Sequence, residues 1–318
     1  MKIKKIFFVL IMLLLATISV VDYQKSNSYE FVVEENGIIA VHFCPDENCS
    51  NIISSLIFGS NSVFCAFYEI KNEELMNVIN EKGKAIVFEK NYFGFGTSVK
   101  SNGLMHNKFC IINESIVVTG SYNPTNGKNQ DNIIIIESMT LAKNYLDEYF
   151  EIIQKKQEKT KHTQIIFNNY TLNNYFCPED DCKLKILEEI KKAKKSIKIL
   201  SFTFTDQEIG DELIRKHLDG VNVTLIYEPF QNTQLTVMPK LTQYGIKNLK
   251  YVGEGLQHNK VFIIDYSIVI TGSYNPTKAA YTKNDENIII IRQPDIVQKY
   301  EQKFLILLSV AETLTDLG

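Results

Sequence analysis

With 318 residues, 45% of them hydrophobic, the chain has room for about two domains and is far from the composition of a disordered protein. Its 34 Lys and Arg stand against 37 Asp and Glu, a net charge of −3, so no overall basic surplus marks a protein held to nucleic acid by bulk charge. Any anion it handles must be met by a local arrangement of cations.

In chain order, Lys2, Lys4 and Lys5 precede a mostly apolar run from Ile6 to Val21, the order of a signal segment, in a length between a signal core and a full membrane span. Residues 1–22 are therefore expected to act as a signal peptide or membrane anchor. The expected location is outside the cytoplasm: secreted, periplasmic-type or membrane-anchored. Removing residues 1–21 takes away three Lys and no acid, which leaves −6.

A first domain is expected over 23–158. It opens with a strand near Ile38 to Phe43 and the turn Cys44-Pro45-Asp46-Glu47-Asn48-Cys49. A helix follows over Ile52 to Phe58, then a strand over Ser62 to Tyr68, a second helix, and a strand over Ala85 to Phe88. The domain ends with a strand over Ile133 to Ile136 and a closing helix over Leu141 to Lys156. The charged joint Lys155 to Lys161 has no apolar period and marks the boundary.

A second domain, 159–318, repeats the plan. Tyr175-Phe176 lead into Cys177-Pro178-Glu179-Asp180-Asp181-Cys182. A helix over Leu184 to Lys195 buries one face, and strands are expected over Ser196 to Phe204 and Val221 to Tyr227. Between these strands a helix has Asp206 as N-cap and Gly220 just past its end. A strand over Ile288 to Ile291 leads to a closing helix over Asp295 to Ala311. Alternating strands and helices, with nearly continuous apolar strands, predict an α/β sandwich in each half. Between the Cys-Pro turn and the segment described next, the second half is 19 residues longer. The surplus is placed around Gln231 to Gly253, where it is expected to shape a substrate mouth.

The segment common to both halves is the most informative. HNKFCIINESIVVTGSYNPT, His106 to Thr125, returns as HNKVFIIDYSIVITGSYNPT, His258 to Thr277, 152 residues on with 15 of 20 positions identical. Along a strand, alternate side chains share a face, so His106 and Lys108 point one way and Asn107 the other, as do His258, Lys260 and Asn259. The Gly-Ser-Tyr-Asn turns then supply close backbone approach and short polar groups. A His, a Lys, a Ser and an Asn in this order can grip and attack a phosphate.

HxKx4D followed by GSxN resembles the signature of the phospholipase D superfamily, here in two copies, and the short spacing and GSYNPT form are most similar to its small endonuclease branch. The resemblance covers nearly all of the chain past residue 22 and implies two α/β/α sandwich domains packed as a pseudo-dimer around one site. It also implies a reaction. One imidazole, His106 by analogy, attacks phosphorus to make a phosphohistidine, and His258 protonates the leaving oxygen. Lys108, Lys260, Ser121, Asn123, Ser273 and Asn275 hold the phosphate, so no metal or other cofactor is expected. A carboxylate after GSxN fixes the imidazole tautomer; Glu286 fills that position in repeat two and the shorter Asp131 in repeat one, where a weaker hold is expected. The final D of the motif is Asp265 in repeat two but Asn113 in repeat one, and both are read as support for strands and turns.

The two CxxxxC turns suggest one local bridge each, Cys44 with Cys49 and Cys177 with Cys182, in an oxidising space. A four-Cys zinc site is the alternative. Cys65 and Cys110 are expected to be plain buried thiols. Three readings of function remain: a nuclease on DNA or RNA, favoured by the signature; a phospholipase D or phosphatidyl transferase, favoured by the leader and the acidic balance; and a non-catalytic binding module, for which Asn113 is the best argument. No obligate protein partner is expected.

Overall fold

The structure is a computed structural model that describes residues 32–231 and 235–313, so the expected leader lies outside the described residues. After a short strand β1 (Val33–Glu35), repeat one forms a sheet from β2 (Ile39–Cys44), β3 (Val63–Phe67), β4 (Gly83–Phe88), β5 (Thr97–Val99), β6 (Lys108–Ile112), β7 (Ile116–Gly120) and β8 (Asp131–Glu137). Its order is β2-β8-β7-β6-β3-β4-β5, with β3, β4 and β5 parallel and the rest antiparallel.

Repeat two builds its own sheet from β9 (Gln164–Phe167), β10 (Tyr170–Cys177), β11 (Ser196–Ser201), β12 (Asn222–Tyr227), β13 (Lys247–Tyr251), β14 (Val261–Ile264), β15 (Ile268–Gly272), β16 (Glu286–Ile291) and β17 (Ala311–Thr313). The run β10-β16-β15-β14-β11-β12-β13 reproduces the first sheet strand for strand, with β9 and then β1 added outside one edge and β17 outside the other. The Ile-rich strands β8 and β16 are buried almost throughout because both faces of each sheet are covered.

On the outer face of sheet one, helices Cys49–Phe58 and Glu73–Lys82 close a core of their own, and helices Cys182–Lys192 and Gln207–Leu218 do the same for sheet two. A third core lies between the repeats. It joins Phe109, Ile134, Tyr145 and Tyr149 of repeat one to Phe176, Ile289, Tyr300 and Phe304 of repeat two, with the closing helices Met139–Gln154 and Pro294–Leu308 inside it. The chain is thus two homologous α/β domains packed as a pseudo-dimer.

Three departures from the sequence expectation have local causes. The helix expected to reach Lys195 stops at Lys192, because the N–H groups of Lys194 and Lys195 donate to the Asp265 carboxylate instead of continuing the helical ladder. The surplus of repeat two, for which no element was expected, carries the helix Met238–Gln243 ahead of strand β13. The strands of the shared segment begin at Lys108 and Val261, so both histidines lie just ahead of them.

Candidate active site

Each shared segment folds as a hairpin, β6–β7 or β14–β15, closed by two residues of positive φ: Asn113 and Glu114 at 51° and 52°, Asp265 and Tyr266 at 53° and 59°. The motif's final acid therefore sits in the turn, at the far end of the strand from its histidine. Asp265 accepts from Lys194 N, Lys195 N and Ser196 N at 2.7, 2.7 and 2.9 Å. Asn113 Oδ1 accepts from Asn61 N at 2.8 Å and Ser62 N at 3.3 Å. An amide and a carboxylate do the same tethering here.

At the other end, Gly120 and Gly272 have φ of 151° and 145°, and a Cβ on either would lie 2.2 Å from the carbonyl oxygen of Asn132 or Asn287. That close approach brings the following serines onto the carboxylates. Ser121 Oγ donates to Asp131 Oδ1 and Ser273 Oγ to Glu286 Oε2, both at 2.6 Å. Expected to hold phosphate, both serines are fully buried with their hydroxyls committed to these carboxylates.

The histidines then cross between the repeats. His106 Nδ1 lies 2.7 Å from Glu286 Oε2, and His258 Nδ1 lies 2.7 Å from Asp131 Oδ1. Each carboxylate thus takes a serine from its own repeat and a histidine from the other. The shorter Asp131 reaches as close as Glu286, against the weaker hold expected. An Nδ1–H to carboxylate bond fixes the tautomer and leaves Nε2 for chemistry. Lys108 Nζ donates to His106 O at 2.5 Å, and Lys260 Nζ to His258 O. The Tyr68 ring stands 4.9 Å from the His106 ring and the Phe202 ring 4.7 Å from that of His258, with Lys108 and Lys260 over the same two rings.

Burial sets the electrostatics. It pushes His106 down to about 4, with Lys108 and Lys260 adding to the fall and Glu286 opposing it. His258 is lowered by burial and by Lys260, against Asp131. Burial also takes the Lys108 ammonium down to about 7 and Lys260 well below its usual range. Burial alone would raise the Glu286 and Asp131 carboxyls, but their histidines, lysines and serines hold both below the ordinary value. Each lysine acts on the other repeat's histidine, as one shared site requires.

Asn275 Oδ1 accepts from Thr203 N at 3.4 Å, and Asn123 Oδ1 is buried with no hydrogen-bond partner. His42 pairs with Glu47, and His162 and His217 stand apart from the site. Cys44–Cys49 and Cys177–Cys182 are disulfides, as the CxxxxC turns suggested. Cys65 and Cys110 are not free thiols: they face each other across β3 and β6 with Cα atoms 4.1 Å apart and form a third bridge. The flanking rings Tyr68 and Phe202 escaped sequence reasoning, although their signal, an aromatic just after the equivalent strand in both copies, was present. Elsewhere, Glu148, Glu151 and Glu179 bring carboxylate oxygens within 4.8 Å of one another.

This geometry has a family. The domain described as "Cardiolipin synthase, PLD-like domain" matches residues 55–153 and 186–308, and the chain belongs to the phospholipase D-like phosphodiesterases. It is 31% identical over 121 residues to mitochondrial cardiolipin hydrolase of Chlamydomonas reinhardtii, covering 38% of this chain and 54% of that protein. It is 31% identical over 164 residues to phospholipase D of Rickettsia typhi, covering 49% of this chain and 80% of that protein. Phosphatidylserine synthase of Haemophilus influenzae shares the fold with a TM-score of 0.64 at 11% identity, over 86% of this chain and 87% of that one.

Proposed function

We propose that the chain hydrolyses phosphodiesters through a phosphohistidine. In the first step the Nε2 of His106 bonds to phosphorus, the P–O bond to the leaving group breaks, and His258 Nε2 gives that oxygen its proton. In the second, His258 takes a proton from water, which attacks phosphorus and releases His106. Lys108 and Lys260, with the amides of Asn123 and Asn275, stabilise the charge on the non-bridging oxygens. The observation that carries this reading is the reciprocal pair of Nδ1–carboxylate contacts at 2.7 Å, which presents two tautomerically fixed imidazoles from opposite repeats.

The substrate reading follows the sequence expectation, nucleic acid. It is supported by the exposed Phe93 and Phe230, at 70% and 84% exposure, on loops tied to the site by Asn91 Nδ2 donating to Tyr68 O and Thr203 Oγ1 donating to Gln231 Oε1. Exposed rings beside a phosphodiester site suit base stacking. A second reading, phospholipid, is favoured by the names of the relatives and by the scarcity of arginine: both arginines of the chain, Arg215 and Arg292, are engaged with acids. We place the protein outside the cytoplasm, a location its three disulfides suit. Among the described residues no helix is long and apolar enough to cross a membrane.

The test is a substrate panel in EDTA: single-stranded DNA, duplex DNA, RNA, and phosphatidylcholine or cardiolipin vesicles. Cleavage of nucleic acid alone supports the first reading, and release of phosphatidic acid or choline the second. His106→Ala and His258→Ala are each expected to abolish turnover in a folded protein. Wild-type turnover in either would overturn the shared site.

A further inference from the structure

Beneath the two histidine–carboxylate contacts lies a second layer of crossing bonds. The residue after each carboxylate is an asparagine, Asn132 or Asn287, with no exposed surface. Asn287 belongs to repeat two, yet its side chain is held by repeat one: Oδ1 accepts from Thr119 Oγ1 at 3.0 Å and from the Tyr145 hydroxyl at 3.2 Å, while Nδ2 donates to Asn107 Oδ1 at 2.7 Å. Asn132 repeats the arrangement from the other side. Its Oδ1 accepts from Thr271 Oγ1 and the Tyr300 hydroxyl, both at 2.9 Å, and its Nδ2 donates to Asn259 Oδ1 at 2.8 Å. Asn107 and Asn259 are the middle residues of the His-Asn-Lys triplets, so each grip closes one residue from the histidine that the neighbouring carboxylate holds.

We propose that Asn132 and Asn287 are positioning residues, each gripped by the opposite repeat so as to fix where the adjacent carboxylate meets that repeat's histidine. The proposal rests on the two-histidine reaction above. A buried amide with both ends bonded cannot shift without stranding several partners, so it sets position more strictly than an apolar contact of the same size. The backbone passes that constraint to the next residue: Asn287 N donates to Ser273 Oγ, the hydroxyl that donates to Glu286, and Asn132 N does the same for Ser121 and Asp131. Each half therefore sets the working geometry of the other.

The two grips act on different histidines, and this makes the idea testable. His106 faces Glu286, Lys108, Lys260 and the Tyr68 ring; His258 faces Asp131, Lys260, Lys108 and the Phe202 ring. Loosening Glu286 removes a group that raises His106, so the limb of the pH profile belonging to His106 moves to lower pH. Loosening Asp131 moves the limb of His258.

The experiment measures kcat, KM and full pH profiles of Asn287→Leu and Asn132→Leu with bis(p-nitrophenyl) phosphate, a soluble diester that does not depend on the substrate class. Each variant is expected to lose about 10- to 100-fold in kcat with little change in KM. Asn287→Leu should displace the acid limb alone and Asn132→Leu the alkaline limb alone. Thr119→Val, which deletes one donor to Asn287, should give a smaller loss on the same limb, and Thr119→Ser should recover it. If the leucine variants do not fold, the threonine pair decides. Unchanged kcat and limbs, or both limbs moving together in either variant, overturns the proposal. Failure of the underlying reaction looks different: wild-type protein quenched in turnover would yield no phosphohistidine peptide containing His106 or His258.

Discussion

The interface between the repeats carries one charge arrangement that its pseudo-symmetric partner reverses. Tyr145 and Tyr300 are equivalent, so Glu148 and Lys303, each three residues on, are equivalent too, and Glu179 matches Asp46 in the Cys-Pro turns. On one side Lys303 Nζ donates to Asp46 Oδ2 at 2.8 Å and to Gln130 Oε1 at 2.9 Å. On the other, Glu148 meets Glu179, with Glu151 and Asp285 nearby, and burial with these neighbouring acids raises both carboxyls, Glu179 to about 7. A carboxyl with a higher pKa folded than unfolded keeps a proton that the unfolded chain releases, so its stability contribution is full below 4.5 and lost as pH rises through 7. A rise from 4.5 to about 7, at about 1.4 kcal/mol per unit, comes to about 3 kcal/mol. Glu179→Gln keeps the hydrogen-bonding capacity and removes the titration. In urea unfolding followed by circular dichroism, variant and wild type should be nearly equal at pH 4.5. At pH 8 the variant should be more stable by about 2–3 kcal/mol. A gap of the same size at both pH values, or a less stable variant at pH 8, refutes the reasoning. Asp46→Asn, which leaves the buried Lys303 with Gln130 alone, should have the opposite sign at pH 8.

Other outcomes follow from the site. The kcat/KM profile should keep its acid limb near pH 4, where His106 protonates, and should peak below 6.5, because His258 must be protonated and its pKa is also lowered; an optimum at pH 8 or above contradicts the assignment. Asp265→Ala strips three backbone N–H groups of their acceptor and should cost about 2 kcal/mol of stability, read in urea, while turnover per folded molecule stays within twofold. Asn113→Asp should leave turnover unchanged, since that turn already has its acceptor. Cys65→Ser opens the 45-residue loop between β3 and β6 and should lower stability by about 3–4 kcal/mol, seen as a drop in Tm.

The duplicated order of strands and helices was legible because each strand is covered on both faces and each cap is local: Asp206 before its helix, Gly220 after it, the two CxxxxC turns closing on themselves. What depends on pairing between distant strands was not. Cys65 and Cys110 look like two apolar positions until β3 is set against β6 in register. Ser121 and Ser273 look like phosphate ligands until the turn is seen pressed on its own carboxylate. No local signal says whether Glu286 serves His258, only 28 residues away in its own repeat, or His106, 180 residues away in the other.

That last ambiguity explains how the two halves have come to differ. In a symmetric dimer of one repeat every interface substitution appears twice, so a lysine facing an aspartate on one side would face it on the other as well. Here Lys303–Asp46 and Glu148–Glu179 occupy equivalent places, Asp265 and Asn113 equivalent turns, and Glu286 and Asp131 equivalent carboxylate positions, and no two of these pairs match. Among the residues that remain identical are those that build the site: the His-Asn-Lys triplet, the Gly-Ser-Tyr-Asn turn, and the asparagine, threonine and tyrosine of the crossing bonds. The proposed chemistry, with one imidazole from each half, would constrain those positions equally, while the periphery of either half is constrained only by its own packing.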